Sequence, residues 1–269
     1  MAGYLRDPVE QVEISDFSPL VRRQPAEAVV PVPVCRFENA LGDRAAEVLL
    51  SFCSEERDRF GPARLRDGAG GGPSDDCRFR MLPVRGEALG RHLAGCLPRV
   101  REALGLSAAL THADMALNAY GNGGYIGLHT DASKVPDPAH SVSAVYFLHR
   151  RPRAFTGGEL RLYDTVVSDG RARRGGTYQV VEPVHDTLVF FPATAFHEVM
   201  PTACASGEFA DSRFTLNMWV LGGPPPRDAD AVARDSSRAV RWMAEAAAGA
   251  RPAEAKGEAV PLPQLAFTG

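Results

Sequence analysis

The sequence predicts a mainly β protein with flanking helices, an α+β arrangement with a jelly roll at its core. Three observations predict it. Near residue 112 the hydrophobic pattern changes from three- and four-residue spacing to alternation. Eight short β-rich segments then follow (113–120, 126–131, 142–148, 158–163, 178–182, 187–191, 196–200 and 213–221), separated by Gly, Pro or Asp. Short strands in such a succession pack as two antiparallel sheets. In the last segment Phe214, Leu216, Met218 and Val220 alternate with Arg213, Thr215, Asn217 and Trp219, so one face is apolar and the other is not.

At 269 residues the chain can bury a sizeable core as one large domain with extensions. Hydrophobic content of 45% and charged content of 23% are ordinary for a globular protein. No apolar run reaches the length of a membrane span, and the N-terminus lacks the basic-then-apolar build of a signal peptide, so a cytoplasmic protein away from membranes is expected. Cys35, Cys53, Cys77, Cys96 and Cys204 are scattered, odd in number and never spaced C-x-x-C, which argues against disulfides or a structural zinc. With a net charge of −3 and no long basic block, nucleic acid is not an expected partner.

In chain order, residues 1–30 show no sustained period and read as an arm. Residues 31–222 read as one catalytic domain, in which 31–111 are a helical and β N-terminal part and 112–222 the jelly-roll core. Residues 29–37 are β-branched but carry Pro31 and Pro33, which suits an edge strand. Ala45, Val48, Leu49 and Phe52 place a helix over residues 39–59. Residues 67–73 are glycine-dense and read as a loop, followed by a short strand through Arg78 and Arg80. Leu89, Leu93, Leu97, Val100 and Leu104 form the stripe of a second helix over residues 87–104. Residues 223–269 read as a C-terminal helix, over 228–248, and a loose tail.

Within the β region, Tyr120 and a glycine-rich turn lead into His129-Thr130-Asp131. On an extended backbone these two side chains share a face and can reach one metal ion. A second imidazole, His197, stands just beyond the buried strand at 187–191 and before Pro201. Two His and one carboxylate are the three-ligand face of non-haem Fe(II) oxygenases. The row Arg213, Thr215, Asn217 and Trp219, turned toward a sheet interior, needs a polar guest, because an unpaired buried guanidinium is costly. A dicarboxylic co-substrate meets that need, with Arg213 making a two-pronged contact and Thr215 adding a hydroxyl.

The segment from about Leu117 to Val220 resembles the prolyl 4-hydroxylase and oxygen-sensing branch of the 2-oxoglutarate/Fe(II) dioxygenases. The resemblance rests on Tyr120 and the glycines before His129-x-Asp131, on residues 145–148 and on Gly157-Gly158-Glu159-Leu160. It continues through Glu182-Pro183, residues 186–191, His197-Glu198-Val199-x-Pro201, and Arg213 with Trp219. It implies a double-stranded β-helix, cupin-like core, with His129, Asp131 and His197 as iron ligands and Arg213 on the far carboxylate of 2-oxoglutarate. Where relatives of the oxygen-sensing type place a tyrosine this chain has Phe147, so the missing donor is expected from Thr215, Tyr120 or Tyr146, with Thr215 the first choice.

The implied chemistry is hydroxylation of an unactivated C–H bond with O2, coupled to decarboxylation of 2-oxoglutarate to succinate and CO2, with ascorbate as a supporting reductant. Halogenating relatives have a small residue in place of Asp131, so the carboxylate favours hydroxylation. A proline-like side chain, free or peptidyl, or a specialised metabolite is the expected substrate, with Arg78, Arg80, Asn118, Asn217 and Trp219 as candidate contacts. Two other readings use the same fold: a nucleobase demethylase, which would want a basic groove and a second arginine soon after Arg213, and a non-catalytic metal-binding or sensor module.

Overall fold

Two antiparallel sheets lie face to face, and one of them is covered on its other side by helices. The structure, a computed structural model, describes residues 5–6, 28–63, 77–84, 95–106, 110–135, 141–168 and 171–222. The expected C-terminal helix and tail, the loop at 67–73 and most of the N-terminal arm lie outside them.

In chain order the strands are β1 (Leu5–Arg6), β2 (Ala28–Val30), β3 (Cys35–Glu38), β4 (Gly61–Pro62), β5 (Cys77–Arg78), β6 (Arg80–Val84), β7 (Leu110–Tyr120), β8 (Gly124–His129), β9 (Val142–Leu148), β10 (Thr156–Gly157), β11 (Leu160–Ser168), β12 (Arg171–Val181), β13 (Thr187–Pro192), β14 (His197–Ala203) and β15 (Arg213–Gly222). The helices are α1 (Asp43–Glu55) and α2 (Leu97–Ala103). The inner sheet runs β3-β13-β9-β15-β7-β6-β4. The outer sheet runs β1-β12-β11-β14-β8-β5, with β2 added to β11 and β10 to β14. This is the double-stranded β-helix that the strand pattern and the resemblance implied.

The strands β9 and β13 read as largely apolar runs, interrupted in β9 by Ser143, because the inner sheet is buried on both faces. Tyr146, Leu148, Leu188, Phe190, Phe214 and Leu216 face the helices and share one core with Leu49 and Phe52 of α1 and Val100 of α2. Val145, Phe147, Val189 and Phe191 face the outer sheet and pack with Leu160, Leu162 and Val199. The N-terminal part and the jelly roll therefore share a core.

Three elements differ from the sequence reading. The helix expected over 39–59 is shorter, because Asn39 and Gly42 adopt positive φ (51° and 84°) and delay its start to Asp43. The expected edge strand at 29–37 is two strands: β2 pairs with β11 in one sheet and β3 with β13 in the other. The segment holding Pro31 and Pro33 joins them without ladder bonds, as proline's missing N–H favours. The hairpin β11–β12 runs further than alternation indicated, past a register shift between Tyr163 and Thr165, because ladder hydrogen bonds rather than apolar faces extend it. Of the second expected helix, the described part is Leu97–Ala103.

Asp186 ties helix to sheet. At φ 57° its backbone turns, its carboxylate accepts from the backbone N–H of Leu41 and Gly42, each at 2.9 Å, and the Tyr146 hydroxyl donates to it at 2.9 Å. The entrance to α1 hangs on this one carboxylate. Asp186→Ala is expected to lower stability by about 3 kcal/mol, since hydrogen bonds to a charged group are lost and buried donors are left unpaired. Thermal and urea unfolding measure it, and an unchanged midpoint would remove Asp186 from that role.

Candidate functional site

The two histidines meet because β8 and β14 are neighbours: His197 lies directly opposite His129 in the ladder. Their ring centroids are 4.1 Å apart. Each Nδ1 is held at 2.9 Å by a carbonyl two residues earlier, Gly127 for His129 and Ala195 for His197. A neutral ring donating from Nδ1 keeps the Nε2 lone pair free for a metal, and such a partner fixes the ring's orientation. Asp131 completes the group, its oxygens 3.8 Å from His129 Nε2 and 3.7 Å from His197 Nε2. One ligand-type atom from each residue falls within 4.8 Å of the others, so the three could hold one ion. Asp131 arrives differently from the sequence expectation. The strand stops at His129, and Asp131 begins a short 3-10 turn with its N–H bonded to Ala193 O.

Burial keeps the pair of imidazoles neutral. Desolvation, and then the neighbouring His197, depress His129 to about 3, and desolvation also lowers His197. Burial works against ionisation of Asp131, but the charge of Lys134, followed by His197 and His129, overrides it and holds the carboxyl well below its usual range. The carboxylate oxygens have one donor each: Lys134 Nζ at 2.6 Å from Oδ1 and Ser143 Oγ at 2.6 Å from Oδ2.

A cavity of about 270 Å³ runs from these residues between the sheets to Arg213. Arg213 is 1% exposed, and its Nε and Nη1 have no hydrogen-bond partner among the described residues. Its guanidinium carbon lies 4.6 Å from the Tyr120 ring centre and 5.1 Å from that of Phe147. Burial lowers it to about 10, which leaves it charged at neutral pH. The hydroxyls of Thr215 and Thr202 are likewise buried without partners. A guanidinium with two unpartnered nitrogens on the cavity wall, beside the unpartnered hydroxyl of Thr215, fits a carboxylate guest.

The other expected contacts divide. Asn118, Tyr120, Thr215, Asn217 and Trp219 all line the cavity. Tyr146 does not. Strand alternation turns it into the helix-side core, where its hydroxyl is spent on Asp186, so it is no source of the missing donor. Arg80 also points away: its guanidinium donates to Phe60 O and Arg57 O and lies over Phe209. Arg78 is absent from the cavity wall, its guanidinium instead lying beside Gly123. Residues 202–211 continue β14 as far as Ala203 and then form a turn that packs Phe209 on Phe60 and Phe214.

Four neighbours escaped the sequence reading. Ser143 is legible in hindsight, because alternation along β9 places it on one face with Val145 and Phe147 and opposite Trp219. Thr202 is not, because a register irregularity between Val199 and Thr202 reverses the parity of β14. Lys134 carries no periodic signal. Gly158 belongs to the glycine pair of the motif, and its reason is spatial: a Cβ there would stand 2.5 Å from Arg213 Cδ and 2.9 Å from Thr202 Oγ1, at φ +76°.

Two outcomes follow from this geometry. Gly158→Ala is expected to push Arg213 aside and so weaken binding of 2-oxoglutarate, the guest that the resemblance implies for Arg213, about tenfold or more, as displacing one partner of a buried charged pair does; calorimetric titration reads it. The second concerns pH. The unfolded chain protonates His129 below 6.5 while the fold resists until about 3, so the unfolded state gains protons first and stability falls as pH drops through that window. Below 3.8 Asp131 adds a loss of the same sign. Metal-free protein should therefore melt progressively lower from pH 6.5 downward, and less steeply in His129→Asn; parallel slopes would contradict it.

Comparison with known proteins gives the site its context. Residues 115–221 match the model of the 2OG-Fe(II) oxygenase superfamily. An uncharacterised PKHD-type hydroxylase of Synechocystis sp. is 25% identical over 218 residues, which cover 80% of this chain and 72% of that protein. Among solved structures, a Pseudomonas putida prolyl-4-hydroxylase is similar at 22% identity, covering 72% of this chain and 94% of that one with a TM-score of 0.46. A prolyl hydroxylase of Trichoplax adhaerens, solved with a hypoxia inducible factor oxygen degradation domain peptide, is similar at 18% identity, covering 71% and 84% with a TM-score of 0.49. No helix among the described residues is long and apolar enough to cross a membrane. Residues 115–221, which include the clustered His129, Asp131 and His197, are a 2OG-Fe(II) oxygenase domain, and the protein is a 2-oxoglutarate/Fe(II)-dependent dioxygenase of the hydroxylase kind.

Proposed function

We propose that His129, Asp131 and His197 hold the iron, that Arg213 with Thr215 and Tyr120 binds the far carboxylate of 2-oxoglutarate, and that the enzyme hydroxylates an unactivated C–H bond of an amino-acid side chain, proline-like and free or peptidyl, or of a specialised metabolite. The observation that carries this is the buried guanidinium of Arg213, two of its nitrogens unpartnered, at the far end of a cavity whose other end is the His-Asp-His cluster. Residues 31–222 act as one catalytic unit in this reading, since α1 and α2 share a core with the inner sheet.

When bound, Fe(II), O2 and 2-oxoglutarate supply the oxidising chemistry, yielding succinate and CO2 with the hydroxylated product. The chain's own residues set the stage. Arg213, clamped between Tyr120 and Phe147 with glycine above it, has one position, so it orients a dicarboxylate along the cavity. Thr215, one strand step further, offers a hydroxyl in place of the one Phe147 lacks. Ile126, Val145, Leu160 and Val199 wall the cavity with apolar surface and exclude water from it. Asn118, Asn217 and Trp219 stand where a substrate's polar groups would meet the wall. The described free thiols suit a reducing compartment, and we place the enzyme in the cytoplasm.

A succinate-release screen over free amino acids, proline-containing peptides and candidate metabolites, with mass spectrometry of the partner substrate, tests the proposal. Expected is Fe(II)- and O2-dependent succinate together with a gain of one oxygen atom. His129→Ala should abolish both. Arg213→Ala should raise the KM for 2-oxoglutarate about a hundredfold, the cost of removing one partner from a buried charged contact. Formaldehyde released from a methylated nucleobase would replace the hydroxylase reading with a demethylase one; metal binding with no succinate under any condition would leave a sensor module.

A further inference from the structure

The cavity holds one cation that neither metal nor co-substrate accounts for. Among its lining residues the charged side chains are Asp131, Arg213 and Lys134, since an imidazole binds a metal as a neutral ring. In the dioxygenase reading, on which this inference rests, Arg213 meets the far carboxylate of 2-oxoglutarate, and divalent iron meets the near one together with Asp131. Lys134 then has only Asp131, which it shares with the metal, to offset its charge inside a wall that is otherwise apolar or neutral. It stands beside the metal position, within 2.6 Å of Asp131 Oδ1, and its ammonium lies 5.0 Å from the centre of the Trp219 ring. An ammonium carries three donors, and Asp131 takes one of them. The aromatic face holds the cation in place without neutralising it. Trp219 is itself fixed by packing against Val135, Ala193 and Leu221. With about a third of its side chain exposed, Lys134 both lines the cavity and meets solvent.

We infer that Lys134 is the specificity-determining residue of this dioxygenase and that it binds an anionic group, a carboxylate, of a small free acid. A residue inside a polypeptide is flanked by neutral amides and brings no such charge, so the geometry points to a free amino acid or another small carboxylic acid over a peptidyl substrate. Lys134 also holds the Asp131 carboxylate, so the mark of its substrate role is not kcat but a rise in KM for the acid that the neutral amide does not share. Electrostatic complementarity of this kind selects partners by charge more than it adds raw affinity.

Two measurements on the full chain test it, both in a Trp242→Phe background so that Trp219 is the remaining indole. The first needs no substrate. In protein loaded with Mn(II) and 2-oxoglutarate, quenching of Trp219 by iodide, an anion, is compared with quenching by neutral acrylamide. Lys134→Gln should lower the iodide constant severalfold and leave acrylamide unchanged, and Lys134→Arg should restore it; equal iodide quenching in wild type and Lys134→Gln overturns the inference. The second compares free L-amino acids with their carboxamides in the succinate assay. Acids should be turned over in preference to amides, and Lys134→Gln should raise KM for the acid about tenfold, the worth of a hydrogen bond to a charged group, without a matching change for the amide. A carboxamide or peptide used as well as the free acid overturns it. Loading is followed by the Mn(II) paramagnetic signal, so a protein that binds neither metal nor 2-oxoglutarate fails the dioxygenase reading, whereas a loaded protein with charge-blind quenching fails this one alone.

Discussion

The guanidinium of Arg213, packed between Tyr120 and Phe147 in the inter-sheet core, is the constraint around which the structure is arranged. A charge at 1% exposure with two nitrogens unpartnered is a liability that hydrophobic packing cannot cure. The sheets could close over an apolar residue there at lower cost. That they close over arginine leaves this region with a charge that packing alone does not satisfy. The glycine above it follows from the same constraint, because Gly158 passes so near that any Cβ would meet the arginine stem. So does the cavity, which sets the unpartnered atoms of Arg213 and Thr215 beside aliphatic walls.

At the other end the cross-strand pair His129 and His197 gives rigidity of a different kind. Ladder hydrogen bonds set the distance between the two backbones, and carbonyls of Gly127 and Ala195 set the ring orientations. Asp131 lies on a turn instead, and is fixed by its own side-chain donors, Lys134 and Ser143. Two ligand-type residues thus owe their positions to the sheet and the third to local polar contacts. The third is where neighbouring charge has most influence, which is why Lys134 matters out of proportion to its place in the chain.

The layered construction explains how one strand can serve both stability and chemistry. β15 turns Phe214, Leu216 and Met218 into the helix-side core and Arg213, Thr215 and Asn217 into the cavity. β9 does the same with Tyr146 and Leu148 against Ser143, Val145 and Phe147. A one-residue slip of either strand would exchange the two sets and destroy site and core together. Asp186, bonding Tyr146 and the entrance of α1, helps to fix β9 against that slip from the far side.

The sequence by itself determined the succession of strands, the identities of His129, Asp131, His197 and Arg213, and the two faces of β15, because alternation and motif spacing are local properties of a chain. Thr215, Asn118, Asn217 and Trp219 were legible for the same reason, each lying in parity with a neighbour already singled out. Only the tertiary structure decided the rest. It spent the Tyr146 hydroxyl on Asp186 and turned Arg80 away from the cavity toward backbone carbonyls distant in the chain. It brought in Thr202 through an irregularity that reverses the parity of β14, and Lys134 through a short turn docked on Trp219. Those placements depend on which segments become neighbours, and no periodicity within a single strand encodes that.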